Sequence, residues 1–278
     1  MKPIAKAIKS VAYEMDYYDI KDPNANVPKD SVDKLNQKTE TYASPIISRF
    51  LNDRRINITI EERDIFAWII ATFSQRTHFA REALVNVFSA LGDRDFTKFV
   101  NDEEAFFNLA EEAGLDRNSD DVRKARELFL EGKLKREYER GGVTEDYFMK
   151  TQLELVEPIA NIFLNKHWSL LESDNTEVFL TSDHPVVLLP SPHHRPGMQV
   201  GYIDGRVLLP LSPNIALLLS NEFLSNDIIK VNSDKMLEYQ WYTITRSYKQ
   251  VFSNILSDHF QTVLERFPQG EVIKAYVK

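Results

Sequence analysis

The chain has 278 residues, 43% of them hydrophobic and 27% charged, so it is ordinary for a globular protein and long enough to bury a real core. Its net charge of −8 argues against a broadly basic nucleic-acid surface and leaves room only for a local basic cleft, while the absence of cysteine excludes disulfides, thiolate metal sites and thiol nucleophiles. The opening MKPIAKAIKSVAYEMDYYD lacks the apolar core of a signal peptide, and no run approaches the roughly 18 apolar residues of a bilayer span, so a soluble, cytoplasmic protein is expected.

In chain order, the first thirty residues are polar and turn-rich, with DPNANVPKDS favouring turns over helix. Helical spacing begins at Ser31 and carries Val32, Leu35, Tyr42, Ile46 and Phe50, with Pro45 expected to kink or split the segment. Thr59 to Glu62 (TIEE) is a capping box that opens a heavily apolar run. That run predicts one central buried helix from Ile60 to Leu91, closed by Gly92, with Trp68, Ile69 and Phe73 inside. Short helices follow Asp102 and Ser119, the first stopping at Gly114. The charged, glycine-paired stretch from Lys133 to Gly142 reads as a mobile loop. Thr144 then caps a long helix bent at Pro158.

From His167 the period changes. HWSLL, EVFLT, PVVLLP, RVLLPL, NIALLLS and DIIKV are short apolar runs bounded by turn residues, with Asp174-Asn175 turning the first two into a hairpin. SDKMLEYQWYTITRS returns to helix, QVFS is a strand, and SDHFQTVLERF a last helix. Helices first and strands later predict a single α+β domain over residues 1–278. Its helical layer, about 31–166, packs on a mixed or antiparallel sheet formed mainly by residues 167–253.

Polar residues inside apolar stretches mark where chemistry could sit. Ser182, Asp183 and His184 interrupt FLTSDHPVV. Adjacent strand residues point to opposite faces and cannot form a triad among themselves. Asp183, two residues before Pro185, fits an Asx-turn whose carboxylate accepts backbone N–H groups. The sharper alternative projects Asp183 or His184 into a cleft. Arg76, three residues after Phe73, borders the apolar stripe, where a guanidinium either snorkels to the surface or finds a carboxylate. Asp183 and Arg76 are each costly in apolar surroundings and lack a local partner, which predicts that they converge. His78 and Arg81 read as solvated, and His193-His194 lacks a further ligand at metal spacing. No Walker A loop, GxGxxG, GxSxG or HExxH occurs.

These pieces, in this order, resemble the DUF4238 domain-of-unknown-function family, found mostly in bacteria. EMDYYD with TETYASPIISRFL is similar to the family's aromatic-acidic segment and glutamate helix, here Glu40. FSQRTHFAR resembles its glutamine-arginine pattern, here Gln75 and Arg76. HWSLLESDNTEVFLTSDHPVV resembles its tryptophan strand and Thr-Ser-Asp-x-Pro turn, and VLLPLSPNIALLL its Pro-Leu-Ser-Pro strand. Asn232 matches the asparagine that opens its late helix. The likeness spans about residues 13–252 and names no activity. The family's upstream His-Tyr-(Val or Ile)-Pro segment has no counterpart here, which implies a truncated or divergent member if that histidine serves activity.

The resemblance groups Glu40, Gln75, Arg76, Ser182, Asp183 and Asn232 with His184 as a polar set that either forms one buried network or lines a pocket. The favoured expectation is a hydrolase-like enzyme or effector, a phosphoesterase or nuclease, with a cleft between helical layer and sheet. Arg76 would bind an anionic group, Asp183 act as general base or metal ligand, and Glu40 serve as a second carboxylate able to share a divalent cation. The rival is a non-catalytic protein-binding or regulatory module in which this set is structural and the Arg123–Gly142 region meets a protein partner.

Overall fold

The computed structural model describes residues 4–5, 31–77, 80, 98, 100–112, 116–131, 145–174, 177–195, 200–224, 228–248, 250–255, 257–258, 260–262 and 274–277. Expectations for the first turn-rich segment, for Leu84 to Gly92, for His78 and Arg81, and for the Lys133–Gly142 loop fall outside these residues. The last helix lies mostly outside them too. The chain divides into two compact units, one made of residues 1–81 and 149–278, the other of 82–148.

The smaller unit contains α3 (Glu103–Glu112) and α4 (Asp120–Leu130). Ser119 caps α4 by accepting the Asp121 N–H, as its hydroxyl and position predict. Val100, Phe106, Ala110 and Val122 form its core, and Arg126 Nε reaches back to the Val100 carbonyl at 3.1 Å.

In the larger unit the helices are α1 (Ser31–Asp53), α2 (Ile60–Gln75), α5 (Glu145–Leu164, of which the part from Met149 onward belongs to this unit) and α6 (Ser233–Arg246). The strands are β1 (Ile4–Ala5), β2 (His167–Ser173), β3 (Thr181–Ser182), β4 (Val187–Leu189), β5 (Arg206–Pro210), β6 (Ile215–Ser220), β7 (Ile229–Val231), β8 (Gln250–Ser253) and β9 (Lys274–Val277). The fold is α+β. A mixed sheet runs β4-β5-β6-β2-β7, antiparallel throughout except for the parallel β2–β7 pair, and a smaller sheet runs β1-β9-β8-β3.

Both faces of the five-stranded sheet are covered, which is why NIALLLS is apolar without alternation. Ile215, Leu217 and Leu219 face the helices α1, α2 and α5, where Phe50, Phe66 and Phe163 are fully buried. Ala216 and Leu218 face the other way, onto Met236 and Tyr239 of α6. A single helix is about 10 Å wide, whereas strands spaced about 4.8 Å apart make this face nearly twice as broad. The strand residues on that face, Leu171, Val187, Leu189, Leu208, Leu218 and Val231, are buried all the same, and a cleft lies beside α6.

Four expectations need correction. Pro45 does not split α1, which runs on as one helix. α2 stops at Gln75 instead of continuing to Leu91, because Thr72 and Ser74 hydroxyls bond the carbonyls of Trp68 and Ala71 and compete with the last turn. Ile69 is buried, but Trp68 and Phe73 are only half-buried, since α2 presents one side to the core rather than all of it. The EVFLT run is not β2's hairpin partner. β2 pairs with β6 and β7, while only Thr181-Ser182 is a strand, in the smaller sheet. The intervening chain is held by Phe179 N–H donating to the Pro213 carbonyl at 2.8 Å.

Candidate functional site

The end of α2 and the 182–184 turn meet. Thr77 Oγ1 lies 2.8 Å from His184 Nδ1, both residues being buried, and the same hydroxyl accepts the Ala80 N–H. Next to it, Gln75 Nε2 donates to Tyr202 Oη at 3.0 Å and to Ser74 Oγ at 3.2 Å, and the Gln75 carbonyl accepts Gln152 Nε2 at 2.7 Å. Arg76 Nη2 donates to Glu40 Oε1 at 3.0 Å, with its guanidinium 4.4 Å from the Phe73 ring centre. Glu40 is largely exposed, so this pair holds Arg76 over the ring but adds little stability.

Within the turn, Ser182 Oγ accepts the His184 N–H and donates to the His184 carbonyl, so this hydroxyl fixes the local bend. Asp183 acts at long range. Its Oδ1 accepts the Tyr248 N–H at 2.9 Å and its Oδ2 the Gln250 N–H at 3.0 Å, while its own N–H donates to the Gln250 carbonyl. The carboxylate thus fastens the passage from the end of α6 into β8. The structure brings Glu40, Gln75, Arg76, Ser182, Asp183 and His184 into neighbouring segments through the Thr77–His184 contact. Asn232 stands apart from that contact, at the N-cap of α6, where Oδ1 accepts the Lys235 N–H at 3.0 Å.

Burial, with a smaller contribution from the Arg246 guanidinium, lowers the His184 pKa from 6.5 to about 4. The unfolded chain therefore takes up this proton first as pH falls below about 6.5. Stability contributed by neutral His184 is whole above that pH and is lost down to about pH 4, by about 3 kcal/mol in all. Urea midpoints measured between pH 7.5 and 4.5 should drop in the wild type, and the drop should flatten in His184→Asn.

A cleft of about 590 Å³ opens beside α6. Leu171, Leu218, Ile229 and Val231 form its floor, and Arg206, Lys230 and Lys235 bring cations to it, against Asp234 and Glu238. Asn232 and Tyr239 also line it. None of the six residues around the 182–184 turn does. Among the described residues no three His, Asp or Glu side chains come together to hold a metal ion, and His193 lies on the surface 3.3 Å from Glu222.

Three features escaped the sequence reading. Lys166 is buried and donates to the Ile203 and Gly205 carbonyls and to Asn221 Oδ1 at 2.7–3.0 Å. Glu177 is a buried carboxylate bonded by Gln240 Nε2 and Ser257 Oγ. The third is the cleft itself. A lone lysine or glutamate ordinarily reads as solvated, and only the apolar runs flanking Glu177 hinted at burial.

A family model described as a protein of unknown function (DUF4238) matches residues 1–257. No curated protein and no solved structure matches the chain.

Proposed function

Since the chain belongs to the DUF4238 family, whose description carries no activity, we propose from its own residues that it is a non-catalytic, regulatory module that works by binding a ligand in the cleft beside α6. The observation that carries this reading is the Asp183 carboxylate, both of whose oxygens accept backbone N–H groups across the α6–β8 turn. A phosphoesterase or nuclease would need that group available to take a proton or hold a cation. Gln75, Ser182 and His184 are likewise spent on positioning, and Glu40 holds Arg76 over Phe73. The cleft has instead what a binding site needs, an apolar floor and a few convergent polar groups. A bacterial, cytoplasmic setting belongs to this reading, in keeping with a cysteine-free chain. No described helix is long and apolar enough to cross a membrane.

The test is an assay with Mg²⁺ or Mn²⁺ on a phosphomonoester, a phosphodiester and single-stranded nucleic acid. The expected result is no hydrolysis above blank. Turnover that vanishes in Asp183→Asn, with the urea midpoint of that variant unchanged, would overturn the proposal in favour of a hydrolase.

A further inference from the structure

We infer that the cleft beside α6 takes a compact zwitterion, an aliphatic α-amino acid, with its carboxylate on Arg206, its ammonium on Asp234 and its side chain against Leu224 and Ile229. This rests on the reading of the cleft as the functional site and names the class of ligand.

Pairing off the charges of the cleft leaves one of each sign. Lys235 Nζ lies 2.5 Å from Glu238 Oε2, and the Lys230 ammonium is drawn off to Glu172 of β2, which is not part of the lining. Arg206 and Asp234 remain. The Arg206 side chain is only 12% exposed, and its Nε donates to the Pro190 carbonyl at 3.0 Å. Its Nη2 stands 3.9 Å from Glu238 Oε1, beyond hydrogen-bond distance and beside a carboxylate that Lys235 already holds. Neither Nη has an acceptor among the described residues, yet neither is sealed from solvent. Glu238 lines the cleft, so its proximity places the open end of the guanidinium there. Such a fork takes a carboxylate through two parallel N–H bonds.

Asp234 is the counterpart. Its carboxylate lines the cleft, is exposed, and has no hydrogen bond or ion pair among the described residues. Asp234 and Glu238 stand one turn apart on the same side of α6, about 5–6 Å between Cβ atoms. Arg206, held beside Glu238, and Asp234 therefore offer opposite charges about one helical turn apart. An ammonium and a carboxylate borne on one carbon bridge that spacing. A ligand with a single charge would meet a like charge at the other end, so each end of the site rejects what the other attracts.

The accessible apolar surface sets the rest of the ligand. Leu171, Leu218 and Val231 are already buried and offer little area, whereas Leu224 is 41% exposed and Ile229 is half-buried. Covering these two favours an aliphatic side chain.

Calorimetric titration of the wild type and of Asp234→Asn with leucine, isocaproate and isopentylamine tests this, with methyl resonances of Leu224 and Ile229 locating any binding. The two analogues are leucine without its ammonium and leucine without its carboxylate. Asp234→Asn removes one exposed charge and leaves the Asn232 cap of α6 in place. The expected result is saturable leucine binding that shifts those methyls and weakens about tenfold or more in Asp234→Asn. Each analogue should bind the wild type about tenfold more weakly than leucine, as loss of one charge-assisted bond implies. An analogue that binds in the cleft as tightly as leucine, or leucine binding indifferent to Asp234→Asn, overturns the zwitterion and leaves the binding cleft standing. Failure of all three probes to move the methyls overturns both.

Discussion

Phe66→Ala is expected to destabilise the protein by about 3–5 kcal/mol, the range for a core aromatic cut to a methyl group. Phe66 is fully buried on the sheet face of α2. Its ring meets Phe50 of α1 edge-on at 5.6 Å and tilts against Trp168 of β2 at 6.0 Å, so it joins two helices to the sheet. Trp168 is held back from the void by its indole N–H donating to the Phe163 carbonyl. A urea midpoint equal to that of the wild type would show that this contact is dispensable. Phe73→Ala should cost clearly less, since that ring is half-open beneath Arg76.

Lys166→Met comes next, at about 3 kcal/mol. All three N–H groups of the ammonium are used, and they tie the 201–205 turn and Asn221 to the start of β2. Burial lowers the Lys166 pKa, opposed by the Asp204 carboxylate. Methionine fills the same space and leaves the buried Gly205 carbonyl and Asn221 Oδ1 without a donor. Equilibrium urea denaturation checks the size, and hydrogen exchange of the Gly205 amide, which bonds Gly201, should quicken. A variant as stable as the wild type would mean that hydration replaces the ammonium.

The strands were legible because both sheet faces are buried. RVLLPL, NIALLLS and DIIKV announce themselves without any long-range information. Their pairing was not, because β2 lies next to β6 and β7 for reasons of topology that local sequence does not carry. The capping box at Thr59 was legible, both of its bonds being local, and the end of α2 was not, although Thr72, Ser74 and Thr77 held the signal. At the site, Asp183 was rightly read as an acceptor of backbone N–H groups, but its donors, Tyr248 and Gln250, are distant in the chain. Arg76 found its carboxylate in Glu40 of the preceding helix, α1, 36 residues earlier in the chain. Asn232 was singled out as part of the polar set, and it lines a cleft on the α6 face of the sheet, which no spacing rule foretells.

The central claim is that Asp183 builds the fold and leaves function to the cleft, and the most direct measurement is the pair of urea midpoints for Asp183→Asn and Asp183→Ala. Asparagine keeps one acceptor for the Tyr248 and Gln250 N–H groups, and alanine keeps none. The expected losses are about 1.5 kcal/mol for asparagine and about 3 kcal/mol for alanine, one orphaned or weakened N–H bond at a time. Midpoints unchanged in both variants would contradict the account, because a carboxylate that can be removed without cost is not holding the α6–β8 turn.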